Sequence, residues 1–254
     1  MPDFLKPFEA DLKKYEREAL KIIASPINNY PLEDKLGIKD SKFLGVPFFP
    51  ADSIYPKDTN GKPMVLIAQL NFEQIPQLEN FPEEGILQLF LSPDNWYDDD
   101  YKIIYLKKED LHRHPITDFS FLKPEHFKEL PIQKTHSLSF ERIVDKGSSM
   151  DSQFDYLFNG LEYWDFTETL DKNQETMMNN YFDASGHKLG GYAEFTQEDP
   201  REYNNDTFDD IQLLQIDTDK HIMFGDSGVA HIFISKENII NKDFSKAYFY
   251  WDCF

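Results

Sequence analysis

The chain has 254 residues, 40% hydrophobic and 15% aromatic, and its 46 acidic and 26 basic side chains give a formal net charge of −20 at pH 7. This length and aromatic content predict a globular protein with a sizeable core and exclude a disordered acidic chain. Because a charge of −20 repels phosphate backbones and anionic membranes, we expect no nucleic-acid or membrane partner, and a basic protein is favoured. The alternative is that the acidic side chains serve only to keep the protein soluble.

The only cysteine is Cys253, so an internal disulfide and a cysteine-rich zinc site are both excluded. The first six residues alternate charged and apolar side chains, which is not the pattern of a signal peptide. No apolar run is long enough to cross a bilayer. These features together predict a cytoplasmic protein.

The first predicted element is an amphipathic helix over residues 4–24. Asp3 is a suitable N-cap and Pro26 lies just beyond the expected end. Apolar residues recur at helical spacing, with charged residues between them. They are Phe4, Leu5, Phe8, Leu12, Tyr15, Ala19 and Ile22. Residues 26–42 are rich in Asn, Asp and Pro and are predicted to be irregular.

Most of the remaining chain is predicted to form short strands, rich in aliphatic and aromatic residues and bounded by Gly, Pro, Asp or Asn. A segment with helical spacing and a short helix interrupt them. In chain order these are strands 64–71, 85–92 and 101–106, a strand or hairpin arm at 130–144, the helical segment 151–181, strands 211–217 and 228–235, a helical turn at 236–240, and strand 247–252. Strands this close together in sequence predict mainly antiparallel pairing.

One octapeptide, residues 85–92, returns in altered form as residues 228–235, with Gly, Phe and Ser in the same places. Each copy follows a strand centred on a glutamine, Gln69 or Gln215, and 24 residues before each glutamine lies a glycine, Gly45 or Gly191. Three landmarks in one order predict an internal duplication. We therefore predict one α+β domain over residues 1–254, with mainly antiparallel sheets built from two related β units at about 43–107 and 187–253. An N-terminal amphipathic helix and a helical segment between the repeats complete it.

Further short motifs lie at residues 45–50, 55–56, 68–71, 85–88, 187–192, 195–201, 213–217, 225–228 and 243–245. In combination they resemble the motifs of a known family, the bacterial proteins named for YwqG. The resemblance runs from about Phe43 to Cys253, with Leu44 where a second glycine is usual and Phe224 where tryptophan is expected. The resemblance implies an α+β fold with a repeated β unit and a mostly bacterial distribution. It implies no established activity, cofactor or catalytic residue.

Four of the seven histidines, His112, His114, His126 and His136, fall in one segment. If the chain is extended there, His112 and His114 share a face, which is the spacing of two metal ligands on a strand. Nearby Arg113, Lys123 and Lys128 oppose cation binding, and the sequence indicates no third ligand. We therefore predict no metal site and no cofactor.

The best candidate for a ligand cleft is a set of polar residues concentrated in the second repeat. It supplies a possible base, a guanidinium fork, amides and carboxylates, the mixture that acid–base chemistry or ligand orientation requires. The set consists of His187, Gln197, Asp199, Arg201, Gln215, Asp217 and Asp226, with Gln69 as the counterpart of Gln215 in the first repeat. The alternative is structural, since a buried polar residue often satisfies a turn, and Arg201 paired with Asp199 or Asp217 could lock the fold.

Two functions therefore remain open. One is a non-enzymatic acidic binding module, similar to an immunity protein or an inhibitor, whose acidic side chains cluster on one face and recognise a basic protein. The other is a hydrolase or small-molecule-binding protein with a cleft between the repeats, in which His187 is the base and Asp217 or Asp226 orients it. The chain contains no Gly-x-Ser-x-Gly elbow and no His-Glu-x-x-His motif, which favours binding.

Overall fold

The computed structural model describes residues 1–28 and 30–254. The strands are β1 (Arg17–Pro26), β2 (Lys42–Phe43), β3 (Val65–Asn71), β4 (Ile86–Leu91), β5 (Tyr101–Leu106), β6 (His136–Asp145), β7 (Lys188–Gly190), β8 (Ile211–Ile216), β9 (Val229–Ile234) and β10 (Tyr248–Asp252). The α-helices are α1 (Glu9–Leu12), α2 (Tyr163–Glu168), α3 (Lys172–Tyr181) and α4 (Lys236–Ile240). None of the helices in these described ranges is long and apolar enough to cross a membrane.

All ten strands form one antiparallel sheet in the order β10-β9-β8-β7-β1-β6-β2-β3-β4-β5. The central pair, β1 and β6, runs in unbroken register from Arg17 opposite Asp145 to Pro26 opposite His136. Strands β6 and β2–β5 form what we call the first sheet half, and β1 with β7–β10 forms the second. The first strand of the chain thus completes the half built mainly from the C-terminal residues.

The two edge strands, β5 and β10, approach each other and nearly close the sheet into a barrel. One aromatic pair joins them, Tyr101 and Phe249, whose ring centroids lie 5.5 Å apart. Tyr105 of β5 also stacks at 4.4 Å on Phe244, in the 3₁₀ turn that precedes β10. The inward-facing side chains of both halves merge into one large core. Hydrophobic burial across this interior is therefore what holds the halves together.

The prediction of a helix over residues 4–24 is wrong. A 3₁₀ turn over Asp3–Phe8 and α1 take up its first half, and its second half is the central strand β1. Residues 18–23 satisfy both periods, since Ala19 and Ile22 have helical spacing and Leu20 and Ile22 have strand spacing. All three are buried in the structure. Strand pairing on both edges, with β6 and β7, decides the outcome in favour of the strand.

The predicted strands 64–71, 85–92, 101–106, 211–217, 228–235 and 247–252 are confirmed to within about two residues by β3, β4, β5, β8, β9 and β10, and the turn at 236–240 is α4. The arm at 130–144 shortens and shifts to β6. In the helical segment 151–181, α2 and α3 form, but residues 151–162 are not helical. This segment packs on the N-terminal turns through a second core that includes Leu5, Leu12, Phe158 and Met178.

Two buried ion pairs occupy matching places in the halves. Lys42 opposes Gln69 across β2 and β3, and Lys188 opposes Gln215 across β7 and β8. The ammonium groups contact Asp34 at 3.3 Å and Asp145 at 2.7 Å, and all four charged side chains are almost fully buried. Removing one member of such a pair leaves a buried charge without compensation, so both pairs constrain the sheet strongly.

Candidate binding site

The two predicted glutamines are structural. Gln69 and Gln215 have no exposed surface, and each side chain accepts one backbone N–H bond and donates to two backbone carbonyls. The partners are Phe48, Ile38 and Asp40 for Gln69, and Glu194, Ala184 and Gly186 for Gln215, at distances of 2.8–3.0 Å. Because these bonds use both ends of each amide, the glutamines fasten loops to the sheet.

Arg201 and Asp199 form a buried network beside β9. The guanidinium donates two bonds to the Asp199 carboxylate, at 2.9 and 2.7 Å, one to Asp151 at 2.8 Å and one to the backbone carbonyl of Asp210 at 2.8 Å. Its carbon lies 4.6 Å from the centre of the Phe233 ring. Burial alone would raise the pKa of Asp199, but the bonds from Arg201 outweigh burial and hold it below its usual range. This pairing matches the structural alternative stated for Arg201.

His187 lies at the start of β7 with an acidic partner that the sequence did not suggest. Its Nδ1 accepts the backbone N–H of Asp217 at 2.9 Å, and its Nε2 lies 3.5 Å from the Asp219 carboxylate. The Asp217 carboxylate accepts the backbone N–H groups of Gly186 and Thr218, both at 2.6 Å. Burial lowers the pKa of His187 despite the attraction of Asp219. His187 is therefore held neutral by burial and fixed by a main-chain bond.

The last two candidates lie near the C-terminus. Gln197 donates from its side chain to the backbone carbonyl of Cys253, and the backbone carbonyl of the exposed Asp226 accepts the N–H of Phe254 at 3.1 Å. The eight predicted residues thus do not converge on one cleft. They are distributed among the Gln69 loops, the surroundings of His187, the Arg201 network and the C-terminal segment.

The histidine segment is also dispersed. His112 ends a 3₁₀ turn, the ring of His126 accepts a backbone N–H from Lys123 at 3.2 Å, and His136 is fully buried on β6. The ring of His136 lies 6.2 Å from that of His221, centre to centre. Among residues 1–28 and 30–254, no group of three or more His, Cys, Asp or Glu side chains has a geometry that could hold a metal ion.

A cavity of about 520 Å³ lies between the sheet halves. The loop Leu78–Phe81 forms one wall, and residues Glu16–Glu18 with Gly190 and Gly191 form the opposite wall. Arg17 in this wall packs over the Tyr192 ring at 3.9 Å and donates to Gln153. None of the eight predicted residues lines this cavity in the described structure.

Two other cavities adjoin on the outside of the second sheet half. We call the first, of about 400 Å³, the acidic groove. It is lined by Ser149, Met150, Asp151, Ser152, Phe154, Asp155, Tyr156, Leu157, Glu162, Tyr163, Trp164, Glu202 and Phe208. We call the second, of about 340 Å³, the Glu194 pocket. It is lined by Ser149, Met150, Tyr163, Trp164, Asn179, Phe182, Asp183, Glu194, Phe195, Thr196 and Phe254. Four residues, 149, 150, 163 and 164, belong to both.

A family model described as "Domain of unknown function (DUF1963)" matches residues 41–253, most of the chain. The chain belongs to this family. A search of curated proteins found no match. The strands β2–β10 and the acidic groove lie within the DUF1963 match, as does the Glu194 pocket apart from Phe254, whereas β1 precedes the match.

The acidic groove of this DUF1963 protein combines exposed apolar and acidic side chains. Leu157, Trp164 and Phe208 are 52%, 55% and 40% exposed, although side chains of this size are usually buried. Asp155, Glu162 and Glu202 are exposed among them, and no salt bridge of the described residues involves these three carboxylates. Exposed apolar patches rimmed by polar residues are typical of interaction sites.

The groove lies in the most acidic part of the DUF1963 match. Residues 147–209 contain 14 acidic and three basic side chains, a net charge of −11, which is more than half of the total of −20. Two of the three basic side chains, Lys188 and Arg201, are buried in ion pairs, so Lys172 is the one exposed cation of this stretch. The negative charge is therefore concentrated in the stretch of sequence that forms most of the groove instead of being spread evenly along the chain.

Glu194 is a polar residue that the sequence analysis missed. Burial raises its pKa to about 7, although a hydrogen bond from the Ser148 hydroxyl at 3.1 Å and the nearby Lys188 act in the opposite direction. The signal for it was present in the sequence, because Glu194 aligns with Phe48 when residues 191–195 are compared with residues 45–49. Perturbed carboxyls that line a cavity are typical of functional sites.

Proposed function

We propose that this DUF1963 protein is a non-enzymatic binding module that holds a basic, apolar-containing segment of a partner protein in the acidic groove, as an immunity protein or inhibitor would. The supporting observation is that Leu157, Trp164 and Phe208 are exposed among carboxylates that form no salt bridge with the described residues, in the most acidic stretch of the chain. The apolar side chains supply contact area, and the carboxylates select a cationic partner and accelerate its association.

The internal bonding of the predicted polar residues favours a binding function over hydrolysis. Gln69, Gln215 and Asp199 with Arg201 use their side chains in internal bonds and are almost fully buried. A hydrolase needs a base and an orienting carboxylate that face a cleft. The cavity between the sheet halves contains none of the proposed catalytic groups among its described lining residues.

We infer that the two β units arose by internal duplication and that the chain stands close to the YwqG-like proteins. Matching bonds support the first inference: Gln69 and Gln215 fasten equivalent loops, and Lys42 and Lys188 oppose them at the same spacing. The motifs from Phe43 to Cys253 support the second. A cytoplasmic location stays a proposal, with which the free thiol of Cys253 agrees.

The proposed function is tested with a fluorescent peptide of repeating Lys-Leu-Gly units. We expect it to bind at low salt and to bind more weakly at about 0.15 M salt, where surface charges are screened. The triple variant Asp155→Asn, Glu162→Gln, Glu202→Gln should weaken binding about tenfold, since each exposed charge pair contributes about 0.5 kcal/mol. Fluorescence anisotropy measures both effects.

The matched control is the triple variant Glu83→Gln, Glu109→Gln, Glu125→Gln, which removes the same charge from exposed positions outside the groove. It should retain most of the affinity. If both triple variants lose affinity equally, the peptide responds only to the overall field and the groove is not the binding site. A Lys-Ser-Gly peptide that binds as tightly as the Lys-Leu-Gly peptide would likewise remove the role of the apolar side chains.

A further inference from the structure

Glu194 is held in a fixed position at the wall of the Glu194 pocket. Its backbone N–H donates to Gln215 at 3.0 Å, and its carboxylate accepts the Ser148 hydroxyl at 3.1 Å. Asp183 lines the same pocket, so two carboxylates face one cavity. Each is anchored to a different element, since Asp183 follows α3 and Glu194 follows β7.

No cation of the described chain neutralises this pair of carboxylates. The nearest one, Lys188, is almost fully buried and bonded to Asp145 at 2.7 Å. Asp183 and Asp217 add negative charge around Glu194, and no Lys or Arg belongs to the described lining of the pocket. Burial and these neighbours raise the pKa of Glu194 to about 7. A partly buried carboxylate without a nearby cation is stabilised when a cation binds beside it.

The remaining wall of the pocket is aromatic. Tyr163, Phe182 and Phe195 are buried, whereas Trp164 and Phe254 are 55% and 79% exposed. Aromatic faces attract ammonium and guanidinium groups, most strongly where water is excluded, and they also cover the alkyl stem of a long basic side chain. A cavity of about 340 Å³ accommodates such a side chain.

We propose that the Glu194 pocket takes the cationic side chain, lysine or arginine, of the partner segment that lies in the adjoining acidic groove. The inference rests on the proposed function, because the groove supplies the backbone of that segment and shares Ser149, Met150, Tyr163 and Trp164 with the pocket. Glu194 provides the charge partner, Asp183 adds to the field, and the aromatic wall selects a long side chain over a free metal ion.

The first test uses small probes, Nα-acetyl-lysine methylamide and the corresponding arginine derivative, against the neutral norleucine derivative. Carboxyl NMR of Glu194 should show its pKa falling when either cationic probe binds, and no change with norleucine. Because only the ionised carboxyl pairs with the cation, affinity should rise about tenfold between about pH 6 and pH 8. If the pKa of Glu194 is unchanged when the protein is saturated with the Lys-Leu-Gly peptide, the proposal is overturned.

The second test compares Glu194→Gln with Glu237→Gln for binding of the Lys-Leu-Gly peptide. Both variants remove one charge, but Glu237 lies on α4, outside the described lining of both cavities. We expect Glu194→Gln to lose about tenfold in affinity at about pH 8, and its affinity to lose the pH dependence of the wild type. Glu237→Gln should behave like the wild type in both respects.

The outcomes separate the two proposals. If the peptide binds Glu194→Gln as tightly as wild type while the groove triple variant still binds weakly, the proposed partner-binding function is supported. The proposal that Glu194 binds a cationic side chain then fails. If the small cationic probes lower the pKa of Glu194 but the peptide does not bind, the pocket stands and the partner-binding function fails. If neither the probes nor the peptide bind, both fail.

Discussion

Glu194 should cost the protein stability at neutral and alkaline pH, and Glu194→Gln should remove that cost. The folded protein retains the Glu194 proton up to about pH 7, whereas an unfolded chain releases it near the ordinary value of 4.5. Folding stability therefore falls as the pH rises from about 4.5 to 7, and the full penalty is present above about pH 7. Below about pH 4.5 both states are protonated and the group contributes nothing.

The magnitude follows from the distance between the two pKa values. At about 1.4 kcal/mol for each pKa unit, a rise from 4.5 to about 7 corresponds to about 3 kcal/mol. Because the carboxyl opens onto a cavity and is partly solvated, we expect about 2 kcal/mol in practice. Glu194→Gln should therefore be about 2 kcal/mol more stable than wild type at about pH 8 and equal to it at about pH 4.

Urea unfolding of both proteins across this pH range measures the difference, with Glu237→Gln as the control for a lost surface charge. A difference that does not change with pH, or a Glu194→Gln variant that is less stable than wild type at about pH 8, would refute the reasoning. The first result would mean that the Glu194 carboxyl is solvated by water in the folded protein. The second would mean that its charged form makes a stabilising bond.

Two further substitutions test the framework around the site by urea unfolding. Asp199→Ala should lower the free energy of unfolding by about 3 kcal/mol, because it leaves the buried guanidinium of Arg201 with too few partners. Asp209→Ala, at an exposed position, should change it little. Equal effects of the two substitutions would contradict a buried network. Gly191→Ala should cost about 3 kcal/mol, because its φ is +72° and a Cβ would lie 2.4 Å from the Asp145 carboxylate. Gly186→Ala is the control for backbone strain alone, because Gly186 has a φ of +92° and no atom lies within 4 Å of the added Cβ. It should cost about 1 kcal/mol. A cost as large as that of Gly191→Ala would show that the contact with Asp145 contributes nothing.

Local sequence was sufficient for the strands with two clear boundaries. Residues 85–92 and 228–235 each begin at a glycine and end at a serine, and their aliphatic interiors became β4 and β9. Turn-forming residues stop a strand by local chemistry, so neighbouring elements are not needed to place the boundary. These strands were therefore predictable from the chain alone.

Residues 17–24 show where local pattern fails. Ala19 and Ile22 have the spacing of a helix, whereas Leu20 and Ile22 have that of a strand. Strand β1 exists because β6 and β7 pair with its two edges. The partner β6 begins more than a hundred residues later, so no local window contains the decisive contact. The ion pair of Lys188 escaped notice for the same reason, since Asp145 lies 43 residues away in the chain, on β6.

The eight predicted site residues were chosen by side-chain chemistry, and burial separates the two glutamines and the Asp199–Arg201 pair from the cavities. Amide and guanidinium groups are equally suited to ligands and to loops, and the sequence does not reveal which they meet. For Gln69 and Gln215 the partners are main-chain groups, and for Arg201 they are carboxylates of its own chain. A better indicator of a candidate site residue was a difference in residue type between positions with equivalent main-chain bonds.

Phe48 and Glu194 occupy one such pair of positions. Each donates its backbone N–H to the glutamine of its own β unit, Gln69 or Gln215, so the two side chains leave equivalent points of the scaffold. Phe48 is buried in an apolar cluster, whereas Glu194 points into a cavity covered by the segment of α2 and α3. A carboxyl there opposes folding at neutral pH, and an apolar residue would fit the scaffold, as Phe48 does. A destabilising group in a shaped cavity is the pattern expected where binding, and not folding, determines the residue.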